Sequence, residues 1–186
     1  MAKINFHTLP KNEKINILQK ASNSTGLLAF AVEKDWWVMQ TLTTIFEMEI
    51  GHHLVFKGGT SLSKAWNLID RFSEDIDLAI DRQFFGYEGE LSKQKISSLR
   101  KEANKYLTEI FYPQLMGKFK EKGFDDIKWE IVETENSDQD PIIIILNYNN
   151  VVEVPGYIQP RIQIEIGCRS LREPYTVQSF TSIIDT

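Results

Sequence analysis

Seven residues constrain this chain more than any others: Asp75-Ile76-Asp77-Leu78-Ala79-Ile80-Asp81. Side chains alternate between two faces along a β-strand, so Asp75 and Asp77 share one face while Ile76, Leu78 and Ile80 share the other. The strand rise puts the two carboxylates roughly 6–7 Å apart at the backbone. Two acids this close on a buried strand repel and raise one another's pKa, and a divalent cation removes that penalty. Taken alone, the pair fits a solvent-facing edge strand with acidic decoration as well as it fits a metal site. A calcium loop of the helix–loop–helix kind is excluded, because Ile80 stands where that loop needs glycine and Gly86 where it needs the bidentate glutamate.

Upstream, Leu54-Val55-Phe56 reads as a short buried strand and Gly58-Gly59 as the turn after it. Leu62-Ser63-Lys64-Ala65-Trp66-Asn67-Leu68-Ile69 then reads as a helix with Leu62, Ala65, Trp66 and Ile69 inward. Two glycines let a backbone approach a phosphate closely, and a helix start offers free N–H groups. Thr60 or Ser61 can cap the helix or touch a phosphate oxygen. Lys64, off the apolar stripe, can meet a phosphate or pair with a carboxylate. The spacing is neither that of a Walker loop nor that of the dinucleotide fingerprint. A plain strand-to-helix turn explains the glycines about as well.

The rest of the chain surrounds this stretch. Lys11 to Ala21 reads as a first helix, with Ile15, Leu18 and Ala21 on one face; Ser22-Asn23-Ser24 is expected to break it and to cap the next helix. Leu27 to Ile50 is helical again and contains Glu33-Lys34-Asp35-Trp36-Trp37. The paired tryptophans favour core packing over a base-stacking platform. His52 and His53 would point to opposite faces of a strand, which does not suit one shared metal. Ser92 to Gly117 reads as a long helix that Pro113 bends or ends. The basic run Lys118–Lys122 reads as a solvated face, with an RNA or phosphate contact as the alternative. The period then changes. Ile127–Thr134, Ile142–Tyr148 and Ile162–Cys168 read as three strands of a meander, and the tail from Pro174 shows no closing element.

Within the third of these strands, Ile162, Ile164 and Ile166 face one way and Gln163, Glu165 and Gly167 the other. A mid-strand glutamate between isoleucines needs solvent or a compensating partner. A site on the Asp75–Asp77 strand is one such partner.

With 186 residues and a net charge of −5, the chain is long enough for a core without staples and is not built as a broadly basic nucleic-acid binder. Cys168 is its one cysteine, so no internal disulfide framework forms, and a reducing, cytoplasmic setting is expected. The N-terminus has no apolar signal core, no run approaches membrane-spanning length, and no membrane association is expected.

Glycine turn, helix, D-x-D strand and a later lone acid is the order found in the nucleotidyltransferase fold. The resemblance is closer still. Lys57-Gly-Gly-Thr-Ser-Leu-Ser-Lys64 and Arg71-Phe-Ser-Glu-Asp-Ile-Asp-Leu78 resemble the signature of the AbiEii/AbiGii toxin family, and Glu33–Val38 resembles that family's N-terminal helix. The resemblance implies an α+β fold: a mixed sheet flanked by helices, with N-terminal helices over about 11–50 and a core over about 52–170 of a single 1–186 domain. It implies Mg²⁺ (or Mn²⁺) held by Asp75, Asp77 and Glu165 as the catalytic acids. Gly58, Gly59, Thr60, Ser61 and Lys64 would bind the NTP. The reaction would move a nucleotidyl group to a hydroxyl of RNA, tRNA included, or of protein, within a toxin–antitoxin or abortive-infection system with a cognate antitoxin. Family members usually continue into a helical C-terminal region, so a fragment lacking that region is expected. A nucleotide- or antitoxin-binding module without turnover, and a phosphotransferase on the same scaffold, are the alternatives.

Overall fold

A computed structural model describes residues 5–66, 68, 75–132, 140–156, 158–168 and 175–185 of the chain. The architecture is the expected α+β. Five strands form one mixed sheet: β1 (Leu54–Lys57), β2 (Ile76–Ile80), β3 (Lys128–Ile131), β4 (Ile142–Asn147) and β5 (Arg161–Gly167), in the order β1-β2-β5-β4-β3. The expected meander is present, since β3, β4 and β5 pair antiparallel in sequence order. Its last strand inserts beside β2 and runs parallel to it, while β1 closes the other side antiparallel. This insertion brings the end of the chain to the D-x-D strand.

The two faces of the sheet differ in chemistry. Leu54 of β1, Ile76, Leu78 and Ile80 of β2, Ile162, Ile164 and Ile166 of β5, and Ile142, Ile144 and Leu146 of β4 are all buried in one hydrophobic core. The opposite parity carries Lys57, Asp77 and Glu165, with the small Ala79 and Gly167 beside them. A strand's period of two is what sorts them.

Helix α1 (Lys11–Thr25) and helix α2 (Ala29–Phe46) precede the sheet. Ser22–Ser24 does not break α1 as expected. The hydroxyls of Ser24 and Thr25 bond back to the Ala21 carbonyl, and Ser22 donates to Leu27 O at 2.6 Å. These hydroxyls donate to carbonyls and so are not spent on capping the N–H groups of the next helix. The helix ends instead at Gly26, with φ of 76°, and α2 starts without a side-chain cap. Trp36 and Trp37 of α2 are core, packed edge-on to each other at 5.0 Å, with Trp37 stacked on Tyr148 at 4.9 Å. His52 and His53 lie in a 3₁₀ turn that leads into β1.

Pro113 does not end the long helix. Helix α4 (Lys93–Tyr106) passes through a π-helical turn, Leu107–Phe111, into helix α5 (Tyr112–Glu121), which carries Pro113 in its first turn. The wider π turn accommodates the residue that has no N–H to give. It also sets the phase: Leu107, Phe111, Leu115 and Phe119 are buried, whereas Ile110 is exposed. The basic run is a solvated face as expected, with Lys118 on Glu121 at 2.9 Å and Lys122 reaching Glu47 at 2.5 Å.

Helix α3 (Gly58–Lys64) starts earlier than expected, so that Gly58 and Gly59 form its first residues rather than a turn ahead of it, and it presents another side. Thr60 and Ser61 are buried, while Leu62 and Trp66 are 39% and 42% exposed. The inward stripe read from the sequence is therefore wrong at those two positions: in so short a helix, the turn that meets β2 decides the buried side. Ile69, the last member of that stripe, and residues 133–139 and 169–174 lie outside the described residues. The C-terminal segment does close on the body. Phe180 packs on Phe56 at 5.9 Å, Ser182 is buried, and the main-chain N–H of Ile183 donates to Asp35 Oδ2 at 2.8 Å. None of the described helices is long and apolar enough to cross a membrane.

Candidate active site

The site arises from strand register. Asp77 of β2 stands opposite Lys57 of β1 and opposite Glu165 of β5. Residues paired across neighbouring strands share a face, so Lys57, Asp77 and Glu165 form a row over three adjacent strands about 5 Å apart. Together with Asp140, Pro141, Leu78, Ala79 and Gly167 they line a small cleft of about 100 Å³. Ala79 and Gly167, having little or no side chain, leave that space open.

The charges in the row are unbalanced. Burial raises the Asp77 carboxyl above its ordinary range, and the charges of Glu165 and Asp75 raise it further; the Lys57 ammonium opposes them. Glu165 accepts a hydrogen bond from Gln163 Nε2 at 2.8 Å, which fixes its orientation on the same strand. Asp75 is exposed, one residue ahead of β2. Among the described residues no three His, Cys, Asp or Glu side chains form a ready metal cage. The acids stand as an aligned pair, Asp77 with Glu165, and Asp75 beside them in sequence. Hard carboxylate oxygens that mutually raise a proton affinity suit a divalent cation such as Mg²⁺, whose remaining positions are usually taken by water and phosphate.

The glycine turn is bound to the same pair. Gly58 has φ of 74°, and a Cβ there would run into the Asp77 carboxylate. A side chain at position 58 is thus excluded both by backbone conformation and by the acid it touches. The buried Thr60 hydroxyl donates to the main-chain oxygen of Asp75, tying α3 to the start of the D-x-D strand. Thr60 and Ser61 therefore present no side chain to solvent, and Gly59 is half-buried next to them.

Lys64 is elsewhere. Its ammonium forms an ion pair with Asp35 of α2, with the two side chains 11% and 5% exposed. Of the two roles open to it from sequence, the structure shows the pairing with a carboxylate. Three residues of the site were missed in the sequence: Lys57, Asp140 and Gln163. Lys57 becomes visible only through the β1–β2 register, and Gln163 only through its period-two relation to Glu165. Asp140 had a signal, an acid directly before a proline at a strand entry.

An α+β body whose mixed sheet carries a glycine-turn helix and an acid pair on adjacent strands is of the nucleotidyltransferase-like class. A family model described as nucleotidyl transferase AbiEii toxin, type IV toxin–antitoxin system, matches residues 40–186, and the chain belongs to that family. The matched stretch includes the whole sheet and all the site residues except Asp35, the partner of Lys64; it begins after Glu33–Val38. Comparison with curated proteins and with solved structures finds no match.

Proposed function

We propose that this chain transfers a nucleotidyl group from an NTP to an acceptor hydroxyl, with Mg²⁺ or Mn²⁺, as the toxin of a toxin–antitoxin pair. The observation that supports it most is the in-register alignment of Asp77 and Glu165 beside a glycine whose Cβ position is taken up by Asp77. Asp77 and Glu165, with Asp75, would hold the cation. When bound, it would neutralise charge on the triphosphate and at the attacked phosphorus. Gly58 to Ser61 would face the phosphates with main chain rather than side chains, since Thr60 and Ser61 are buried.

The chain's own groups divide the remaining work. Glu165, oriented by Gln163, would accept the proton of the attacking hydroxyl. Burial raises the proton affinity of Asp77, the facing Glu165 raises it further, and a bound cation would oppose both. Asp35 holds Lys64, so that lysine secures α3 against α2. The acceptor would be RNA, tRNA included, or a protein, and a cognate antitoxin would counter the toxin.

Incubating the protein with each of the four α-labelled NTPs, Mg²⁺ and total RNA tests the reading. Incorporation that vanishes with chelator and with Asp77→Ala is expected. No incorporation into RNA or protein, with any NTP, would overturn it. Transfer of γ label rather than α label would establish the phosphotransferase alternative.

A further inference from the structure

We infer that Lys57, and not Lys64, is the cation with which this chain grips the triphosphate. The inference rests on the nucleotidyltransferase reading above and adds to it the residue that recognises the phosphates.

Two lysines flank the glycine turn, and the fold treats them oppositely. Lys64, at the end of α3, is largely buried and committed to Asp35. Asp35 is itself fixed by the Ile183 N–H, so the pair is held from two sides. Releasing the Lys64 ammonium toward a phosphate would strand a buried carboxylate, which is costly. Lys57 is exposed, ends an edge strand, and lines the cleft that contains Asp77, Glu165 and Asp140. Its main chain immediately precedes Gly58, so its flexible side chain starts beside the glycines.

The charge of the cleft gives Lys57 a task. Asp77, Glu165 and Asp140 are three acids that line it with one lysine. An anionic triphosphate could not approach such a surface without cations. A bound divalent ion would supply some of that charge, and among the described residues Lys57 is the one cation that lines this cleft. Lysine is a flexible point charge well suited to phosphate oxygens.

A purely structural Lys57 would only balance Asp77, and the two roles part at nucleotide affinity. Removing a structural counter-charge leaves the acids more negative, so Mn²⁺ alone should bind as well or better. Removing a triphosphate ligand weakens nucleotide. The test titrates the full chain and its Lys57→Met, Lys57→Arg and Lys64→Met variants, first with Mn²⁺ alone and then with Mn²⁺ plus each NTP or its monophosphate. Lys57→Met should weaken the NTP by about tenfold or more, the usual size of a hydrogen bond to a charged group. It should barely affect the monophosphate, and it should keep or tighten Mn²⁺. Lys57→Arg should recover most of the loss. Lys64→Met should lower the melting temperature and leave NTP affinity of the folded protein unchanged. Unaltered NTP affinity in Lys57→Met, or a selective loss of NTP in a folded Lys64→Met, overturns the inference and leaves the transferase reading standing. Failure of the wild-type chain to bind any NTP overturns both.

Discussion

Two groups of carboxylates are withdrawn from bulk water in this protein, and they are provided for in opposite ways. On α2, Glu33 is 1% exposed and accepts from the Val151 and Val152 N–H groups at 2.7 and 3.2 Å. Asp35, two residues on, takes the Ile183 N–H and the Lys64 ammonium. Both acids spend their lone pairs on the protein and fasten a loop, a tail and a helix to α2. On the sheet, Asp77 and Glu165 face each other across β2 and β5, where Lys57 is the balancing cation among the described residues. The first group stabilises; the second stores unfavourable charge beside an open cleft. Compensated acids read as architecture, and acids left in mutual repulsion read as a site awaiting a cation.

Substitution at Asp77 should separate the groups most widely. Asp77→Asn keeps the shape and removes one charge. NTP incorporation should fall by about a hundredfold or more, the scale of losing one preorganised electrostatic contact. Folding should be retained or improved, because the repulsion with Glu165 and Asp75 is relieved. An Asp77→Asn protein that unfolds readily under chelator would place this acid with the architectural group and break the comparison.

Glu33→Ala should do the reverse. It strands the two main-chain donors of a half-buried loop, each worth about 1–3 kcal/mol, offset in part by removing a carboxyl that burial disfavours. A net loss of about 2 kcal/mol is expected in urea titrations. Incorporation per folded molecule should be unchanged, since Glu33 lines a separate cavity walled by Trp36, Trp37 and Phe124.

How far the sequence disclosed this division depends on the range of the interactions. The D-x-D strand, the isoleucine alternation of β5 and the helices were legible because each is a local period. The acid pair was legible as chemistry, with Glu165 named before any contact was known. The direction each partner faces was not. Lys64 and Lys57 are both lysines flanking a glycine turn; only the packing of α3 on α2 and the β1–β2 register tell them apart. Leu62 and Trp66 looked inward because apolar residues usually do, yet Thr60 and Ser61 occupy that side. The C-terminal tail looked unanchored because its main anchors are a main-chain N–H and a phenylalanine, neither of which leaves a pattern.

Gly58→Ala tests the turn that joins the two groups. The residue must hold φ of 74°, and its Cβ would collide with the Asp77 carboxylate. Strain of about 1–3 kcal/mol is expected, relieved only if Asp77 turns away. Activity should therefore fall with stability, unlike at Asp77 or Glu33, where only one falls. The double variant Gly58→Ala with Asp77→Ala should recover part of the lost stability, since the collision is gone, and none of the activity. A double variant no more stable than Gly58→Ala alone would show that the backbone conformation, rather than the acid, makes glycine necessary.

The smallest effect is the dependence of stability on pH at Glu33. Burial raises its pKa above the ordinary 4.5, outweighing the two N–H bonds and the nearby Lys14 and Lys11, which lower it. A raised folded-state pKa means that the folded protein binds this proton more tightly than the unfolded chain does. The stability that the group contributes is then fully present below about pH 4.5 and is lost as pH rises through the folded value. Glu33→Gln cannot ionise and lacks this loss. Measured by urea unfolding across that window, the difference between wild type and Glu33→Gln should shift in favour of glutamine as pH rises. The opposite slope would mean that the Val151 and Val152 donors and the lysines outweigh desolvation. In that case even a deeply buried acid of this fold is better off charged, and the charges of Glu165 and Asp75, added to burial, are what set Asp77 apart.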